Sequence, residues 1–236
     1  MPGGGPHPRD PQDFAASQVD ALRRATSELA YLRARGYALP GALKLVGDRY
    51  QLRERQRVAL TRATSEAGGA ARRRARRLSP GQRPARLEVD GFNVWITIET
   101  GLQGGVLLRG VDGALRDLSG VHGTYRVDRA TEQATRALAA AVRAQGWADV
   151  PLRALIDRPV SNSGRLAQHL RAFAAAEGLP WTAVVVPDAD PVLAEAAPDG
   201  AVASSDAVVL DRTPAPWVDL PALALRHRAT WVLELG

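Results

Sequence analysis

No cysteine occurs anywhere in the 236 residues. Disulfide bridges and thiolate metal ligands are therefore excluded, and the chain suits a reducing compartment. Lysine is nearly as scarce, with Lys44 the only one among 31 basic residues. Basic chemistry here is guanidinium chemistry, and the accompanying wealth of Ala and Gly reads as the codon bias of a GC-rich genome. No apolar run approaches the roughly 18 residues that a membrane span needs. The opening stretch MPGGGPHPRDPQD has no basic-then-apolar signal pattern, so a cytoplasmic protein is the expectation. No glycine-rich nucleotide fingerprint and no internal repeat is present. What is present is core material, 45% hydrophobic, in a length that suits one large domain or two small ones.

Acidic residues are also scarce in the first third of the chain. Residues 1–86 carry 18 Lys/Arg against 7 Asp/Glu, a net of +11, while residues 87–236 carry 13 against 18, a net of −5. A basic front on an acidic back suggests that the front holds a polyanion; a solvated arginine-rich face is the plainer alternative. Residues 1–12 read as a disordered tail rich in Pro and Gly. Residues 13–70 read as a helical region. Phe14, Val19, Leu22, Leu29 and Leu32 recur at helical spacing up to Arg35, with Gly36 as the stop, and two further helices follow from Pro40 and from about Leu52. In outline the trio resembles a helix-turn-helix bundle. Residues 71–85 read as an Arg-rich linker or the basic end of a helix, with Arg72, Arg73, Arg74, Arg76 and Arg77 placed to hold phosphate through their planar forks.

Residues 86–236 alternate strands and helices. RLEVDG is the first strand, and GVLLRGVDGALRDL is a hairpin turning at Asp112-Gly113. Arg129–Gln145 and Ser163–Glu177 are helices ended by Gly146 and Gly178. PLRALIDR, WTAVVVPDAD, GAVASSD and ATWVLEL are strands. The fold class expected is α/β, a mostly parallel sheet with flanking helices behind a small all-α front. Three strands end on an aspartate, at Asp90, Asp157 and Asp206, and Asp188 and Asp190 follow a fourth. In a parallel sheet these ends share one edge, where ligands bind. Clustered carboxylates repel, and a hard cation such as Mg²⁺ or Mn²⁺ relieves the repulsion. A turn or a helix cap explains any one of these aspartates equally well.

Two motifs add a resemblance. VDGFNV and AVASSDAVVL resemble the first and later motifs of PIN-like nucleases, particularly the NYN branch. VDGFNVWITIE, RDLSGVHGTYR, DRPVSNSGRL and ASSDAVVLDR together resemble the domain of unknown function 434 family, across most of the chain. The PIN-like resemblance implies catalytic and metal-binding carboxylates at Asp90, Asp157 and Asp206, with Asn93 beside Asp90 as a polar orienting group on the substrate side. Where PIN nucleases carry a further acid two residues past the last motif aspartate, this chain has Val208, and Asp211 is the expected substitute ligand.

Around that edge, Arg158, Ser161 and Asn162 precede a helix and suit an anion, or cap the helix. Arg109 and His122 lie in a glycine-punctuated insert that suits substrate contact. The resulting expectation is a Mg²⁺- or Mn²⁺-dependent nuclease acting on RNA first and single-stranded DNA second. The alternative is a catalytically reduced nucleic-acid-binding or regulatory module on the same fold, and a phosphatase of a small substrate ranks third. Expected partners are nucleic acid and no membrane, with a homodimer left open.

Overall fold

The computed structural model describes residues 6–66, 68–119 and 125–235. The chain begins with a helical turn, α1 (Asp10–Asp13), then α2 (Ala16–Ala34), α3 (Leu39–Arg49) and α4 (Glu54–Ala63). The expected disordered tail is thus anchored by its last residues. Asp10 is buried, and its carboxylate receives Arg55 Nε at 2.5 Å and Nη2 at 3.1 Å. Gly36 ends α2 at φ +84°, as its sequence position implies, and Tyr37 N closes the turn on Leu32 O. The expected linker opens with a helix, α5 (Gly69–Ala75), which contains Arg72, Arg73 and Arg74.

The back half runs β1 (Leu87–Asp90), α6 (Gly91–Leu102), β2 (Val106–Arg109), β3 (Leu115–Asp117), α7 (Arg129–Ala144), β4 (Leu152–Asp157), α8 (Ser163–Glu177), β5 (Trp181–Val186), α9 (Ala189–Ala194), β6 (Ala201–Ala203), α10 (Ala207–Arg212), α11 (Leu220–Ala224) and β7 (Trp231–Glu234). The strands do not form one sheet. Four of them pair parallel in the order β5-β4-β1-β6. The other three order as β3-β2-β7, with an antiparallel hairpin at the Asp112-Gly113 turn and β7 parallel to β2. Central β1 is buried at every residue, and so is the edge strand β6, where Trp217 bridges to Val202, whereas the opposite edge strand β5 begins in alternation, buried then exposed.

Helix α6, read from the sequence only as the sequel to a strand, joins the two sheets. It is buried on nearly every side and packs against β1 and β4 of one sheet and β2 and β3 of the other. Its Trp95 is fully buried, with Nε1 donating to Thr135 Oγ1 at 2.9 Å. The helical front closes a second core with the small sheet, where Leu22, Leu29, Val46 and Leu60 meet Val106, Leu108, Leu118 and Leu233. Front and back therefore share apolar surface that neither could bury alone.

Candidate functional site

Strand register brings the expected carboxylates to one edge. Asp90 ends β1 between β4 and β6, pairing in register with Leu155, so Asp157 stands two residues further along β4. On the other side, the loop after β6 is laced to β1. Ser204 Oγ donates to Asp90 Oδ2 at 2.8 Å and receives Asp206 N at 3.0 Å. Asn93 Oδ1 accepts from Ser205 N at 2.8 Å and Ser205 Oγ at 3.1 Å. Asn93 thus orients the loop after β6 through Ser205. Gly91 allows α6 to start this close to β4: a Cβ there would lie 2.2 Å from Ile156 Cδ1 and 2.8 Å from Leu155 O.

Asp90 is only 6% exposed. Burial pushes its carboxyl up from the ordinary 3.8 to about 7, with the charges of Asp157 and Asp190 adding and the Ser204 hydroxyl opposing. Asp157, whose Oδ1 accepts from Ala189 N at 2.8 Å, is raised by burial and then by Asp188. Asp190 is raised by burial and by Asp206, Asp188 and Asp157. Asp190 therefore belongs to the acidic group, and the sequence marks it only as the second acid of PDAD. Three of the aspartates also cap helices: Asp90 Oδ1 accepts from Asn93 N at 3.4 Å, Asp188 Oδ1 from Asp190 N at 3.1 Å, and Asp206 Oδ1 from Val208 N at 2.6 Å and Val209 N at 3.3 Å. The cap and the edge readings hold together. Among the described residues, no three Asp, Glu or His side chains converge tightly enough to hold an ion between them.

Asp90, Asp157 and Asp206, though not Asp190, line a cleft of about 720 Å³ between the helical front and the sheet edge. Its basic residues are Arg33 of α2, Arg62 of α4, Arg73 of α5, Arg116 of β3 and Arg212 of α10. Arg73 was expected, and Arg116 lies in the insert expected to contact substrate; the other three carry no mark in the sequence. Arg62 spans to the hairpin, donating to Asp117 O at 2.6 Å and Ser119 O at 2.8 Å. Arg116 grips Asp112 with both Nη atoms, at 2.7 and 2.6 Å, and donates through Nε to Ser205 O at 2.9 Å. Burial pushes Asp112 up, yet Arg116 and Arg73 hold it down at about 2. Arg73, 1% exposed, pairs with Asp112 through Nε and with Asp211 through Nη1, both at 2.7 Å. Its Nη2 has no partner among the described residues.

Several expected residues fall elsewhere. Asp211 is taken by Arg73 rather than by the acids, because six-residue α10 turns it toward α5. Arg109 pairs with Glu234 at 3.0 Å across the small sheet, away from the cleft lining. Arg76 reaches the carbonyls of Leu210 and Thr213 at the end of α10, and Arg74 reaches Val111 O. Arg72 is exposed, and Arg77 lies 5.3 Å over the Trp217 ring. The arginine run is thus largely a strut, because α5 packs on α10. Asn162 takes φ 64° before α8 and donates Nδ2 to Tyr125 O at 2.6 Å, without capping the helix. Arg158 and Ser161 are exposed on that turn. His122 lies outside the described residues.

The fold and this edge define a mixed α/β protein with a carboxylate-lined cleft closed by a helical front. The chain belongs to the family described as Domain of unknown function (DUF5616), whose model matches residues 82–223. A second family, Protein of unknown function (DUF434), matches residues 21–76. The likeness to the latter is therefore confined to the helical front instead of reaching the last strand. Uncharacterized protein MJ0935 of Methanocaldococcus jannaschii is 26% identical over 210 residues, spanning 88% of this chain and 98% of that protein. No solved structure matches the chain. No helix among the described residues is long and apolar enough to cross a membrane.

Proposed function

We propose that the cleft hydrolyses phosphodiester bonds of nucleic acid, RNA first and single-stranded DNA second, in the cytoplasm. One observation carries this reading: acids and arginines line the same cleft, with Asp90, Asp157 and Asp206 at the sheet edge and Arg33, Arg62 and Arg212 around it. Guanidinium groups hold a phosphate while carboxylates serve the attacking water. The resemblance of VDGFNV and AVASSDAVVL to PIN-like motifs supports it further.

The acids fit Mg²⁺ or Mn²⁺ in donor chemistry. Their oxygens are hard, and their mutual repulsion is what a cation offsets. Mg²⁺ takes only one or two protein carboxylates and keeps several waters, so Asp90 with Asp157 or Asp206 suffices. Bound there, the ion would neutralise developing charge and acidify a water. Ser204 and Asn93 would keep Asp90 and the Asp206 loop in register, and Arg116 would hold the same loop through Ser205 O.

Val208 favours a second reading, a binding module that does not cut. It is exposed at the cleft where the PIN-like pattern has an acid, and Asp211 is engaged by Arg73. The deciding experiment incubates wild type and Asp90→Asn with labelled single-stranded RNA and DNA in Mn²⁺, Mg²⁺ or EDTA. Wild type should cut with metal alone, and the variant should lose more than the roughly 10–100-fold that removal of a supporting group costs a metal site. Equal cutting by both proteins ends the hydrolase reading, and tight binding without cutting by wild type establishes the module.

A further inference from the structure

A second surface lies one helix away from the acidic cleft. Residues Ser27, Glu28, Tyr31 and Leu32 of α2 face Leu45, Val46 and Arg49 of α3 across an apolar groove of about 380 Å³. Tyr31 and Leu45 are 59% and 61% exposed, and Tyr37, on the turn between the two helices, is 59% exposed. Large side chains this open and this close together are unusual without a ligand. The guanidinium of Arg35 stacks 5.0 Å from the Tyr31 ring, and that of Arg49 lies 5.8 Å from the Tyr50 ring. Among the described residues no carboxylate pairs with Arg35, whereas Arg33 pairs with Glu66 at 3.3 Å and Arg49 with Glu28 at 3.5 Å, partners that a phosphate must displace. The turn joining the two helices borders the cleft: Arg33 and Leu39, on either side of it in the chain, line the cleft, and Arg35 and Tyr37 lie between them in sequence.

We infer that a single-stranded nucleic acid leaves the cleft over this turn and stacks its bases on Tyr37 and Tyr31, with its phosphates met by Arg33, Arg35 and Arg49. The inference rests on the nucleic-acid reading of the cleft and specifies which strand the cleft takes. Charge selects the occupant. Residues 16–63 carry 10 Lys/Arg against 4 Asp/Glu, which favours a polyanion over an apolar protein segment. Exposed rings flanked by guanidinium groups are a stacking platform, and stacking needs bases with open faces. A duplex hides those faces, and a small phosphorylated substrate would not reach the tyrosines.

The test measures binding in EDTA on the Asp90→Asn chain, so that no turnover intervenes. The probes are labelled single strands of about 12 nucleotides, within the roughly 4–16 that single-strand folds cover, and of about 3 nucleotides. Tyr31→Ala and Tyr37→Ala should each weaken the longer strand by about 5- to 100-fold. The shorter strand, held in the cleft alone, should bind unchanged, and Tyr31→Trp should restore the longer strand. Unchanged binding of the longer strand overturns the inference, as does equal loss for both lengths or equal affinity for a duplex. A chain that binds in this pattern yet never cuts overturns the hydrolase reading and leaves this one standing. A chain that cuts yet ignores the tyrosine changes does the reverse.

Discussion

Glu99 sits inside α6 with 4% of its surface exposed, and the Tyr125 hydroxyl donates to its Oε1. Burial pushes its carboxyl up from the ordinary 4.5 to about 7, with Asp128 adding and the hydroxyls of Tyr125 and Thr131 opposing. The folded chain thus keeps a proton that the unfolded chain releases near 4.5. Stability from this group is complete below that value and is lost as pH rises through about 7. The gap of about 2.5 between the two values corresponds to about 3 kcal/mol. Glu99→Gln keeps the shape and an acceptor for Tyr125, and it carries no charge. The variant should match wild type near pH 4 and exceed it by about 3 kcal/mol near pH 8. In a chain of this size that is roughly 6–12 °C in Tm. Urea and thermal unfolding of both proteins across this range gives the result as a difference. The other raised carboxylates, Asp90, Asp157, Asp190 and Asp219, cancel from it. A variant less stable than wild type near pH 8, or a gap that does not change with pH, would mean that the ionised carboxylate is as well held inside as in water.

Two further changes probe what positions the cleft. Arg73→Met removes the guanidinium that joins Asp112 and Asp211, and Asp112 keeps Arg116. The expected loss is about 3 kcal/mol, the low end for breaking a buried pair, read from urea midpoints; a neutral result would mean that its unpartnered Nη2 already offsets both pairs. Gly91→Ala drives a Cβ toward Leu155 O and Ile156 and should cost about 1–3 kcal/mol while shifting the start of α6. A variant with wild-type Tm would show that α6 can move off β4 without loss.

Asp90, Asp157 and Asp206 were legible because parallel pairing turns strand ends that are distant in sequence into neighbours, and apolar runs ending in an acid can be seen without coordinates. Asp190 was not, since nothing in PDAD distinguishes a capping acid from one whose carboxyl is raised by its neighbours at the edge. Density misled at Arg72–Arg77. A run of arginines reads as a solvated or phosphate-binding stretch, yet packing on α10 turned Arg73 and Arg76 inward. The cleft arginines besides Arg73 and Arg116 are instead single residues on α2, α4 and α10, unmarked in a chain so rich in arginine. The second sheet was half legible: a short apolar run announces β7 as a strand, but its partner β2 lies more than half the chain earlier. The buried α6 announces itself by neither period, because it is apolar nearly all round.

The placement of β7 has a consequence for how the chain is made. The apolar face of the helical front is completed by Leu233 and Leu235, and Arg23 of α2 donates to Glu234 O across 211 positions. At about 5–20 residues per second of synthesis, the front waits on the order of 10–40 s for its closing strand. Its helices can form early, but their docking is a late, non-local event. Folding of this chain therefore does not proceed from its first helices onward, and a nascent chain stalled before Trp231 presents the open apolar face of α2 and α4 to whatever holds unfinished chains.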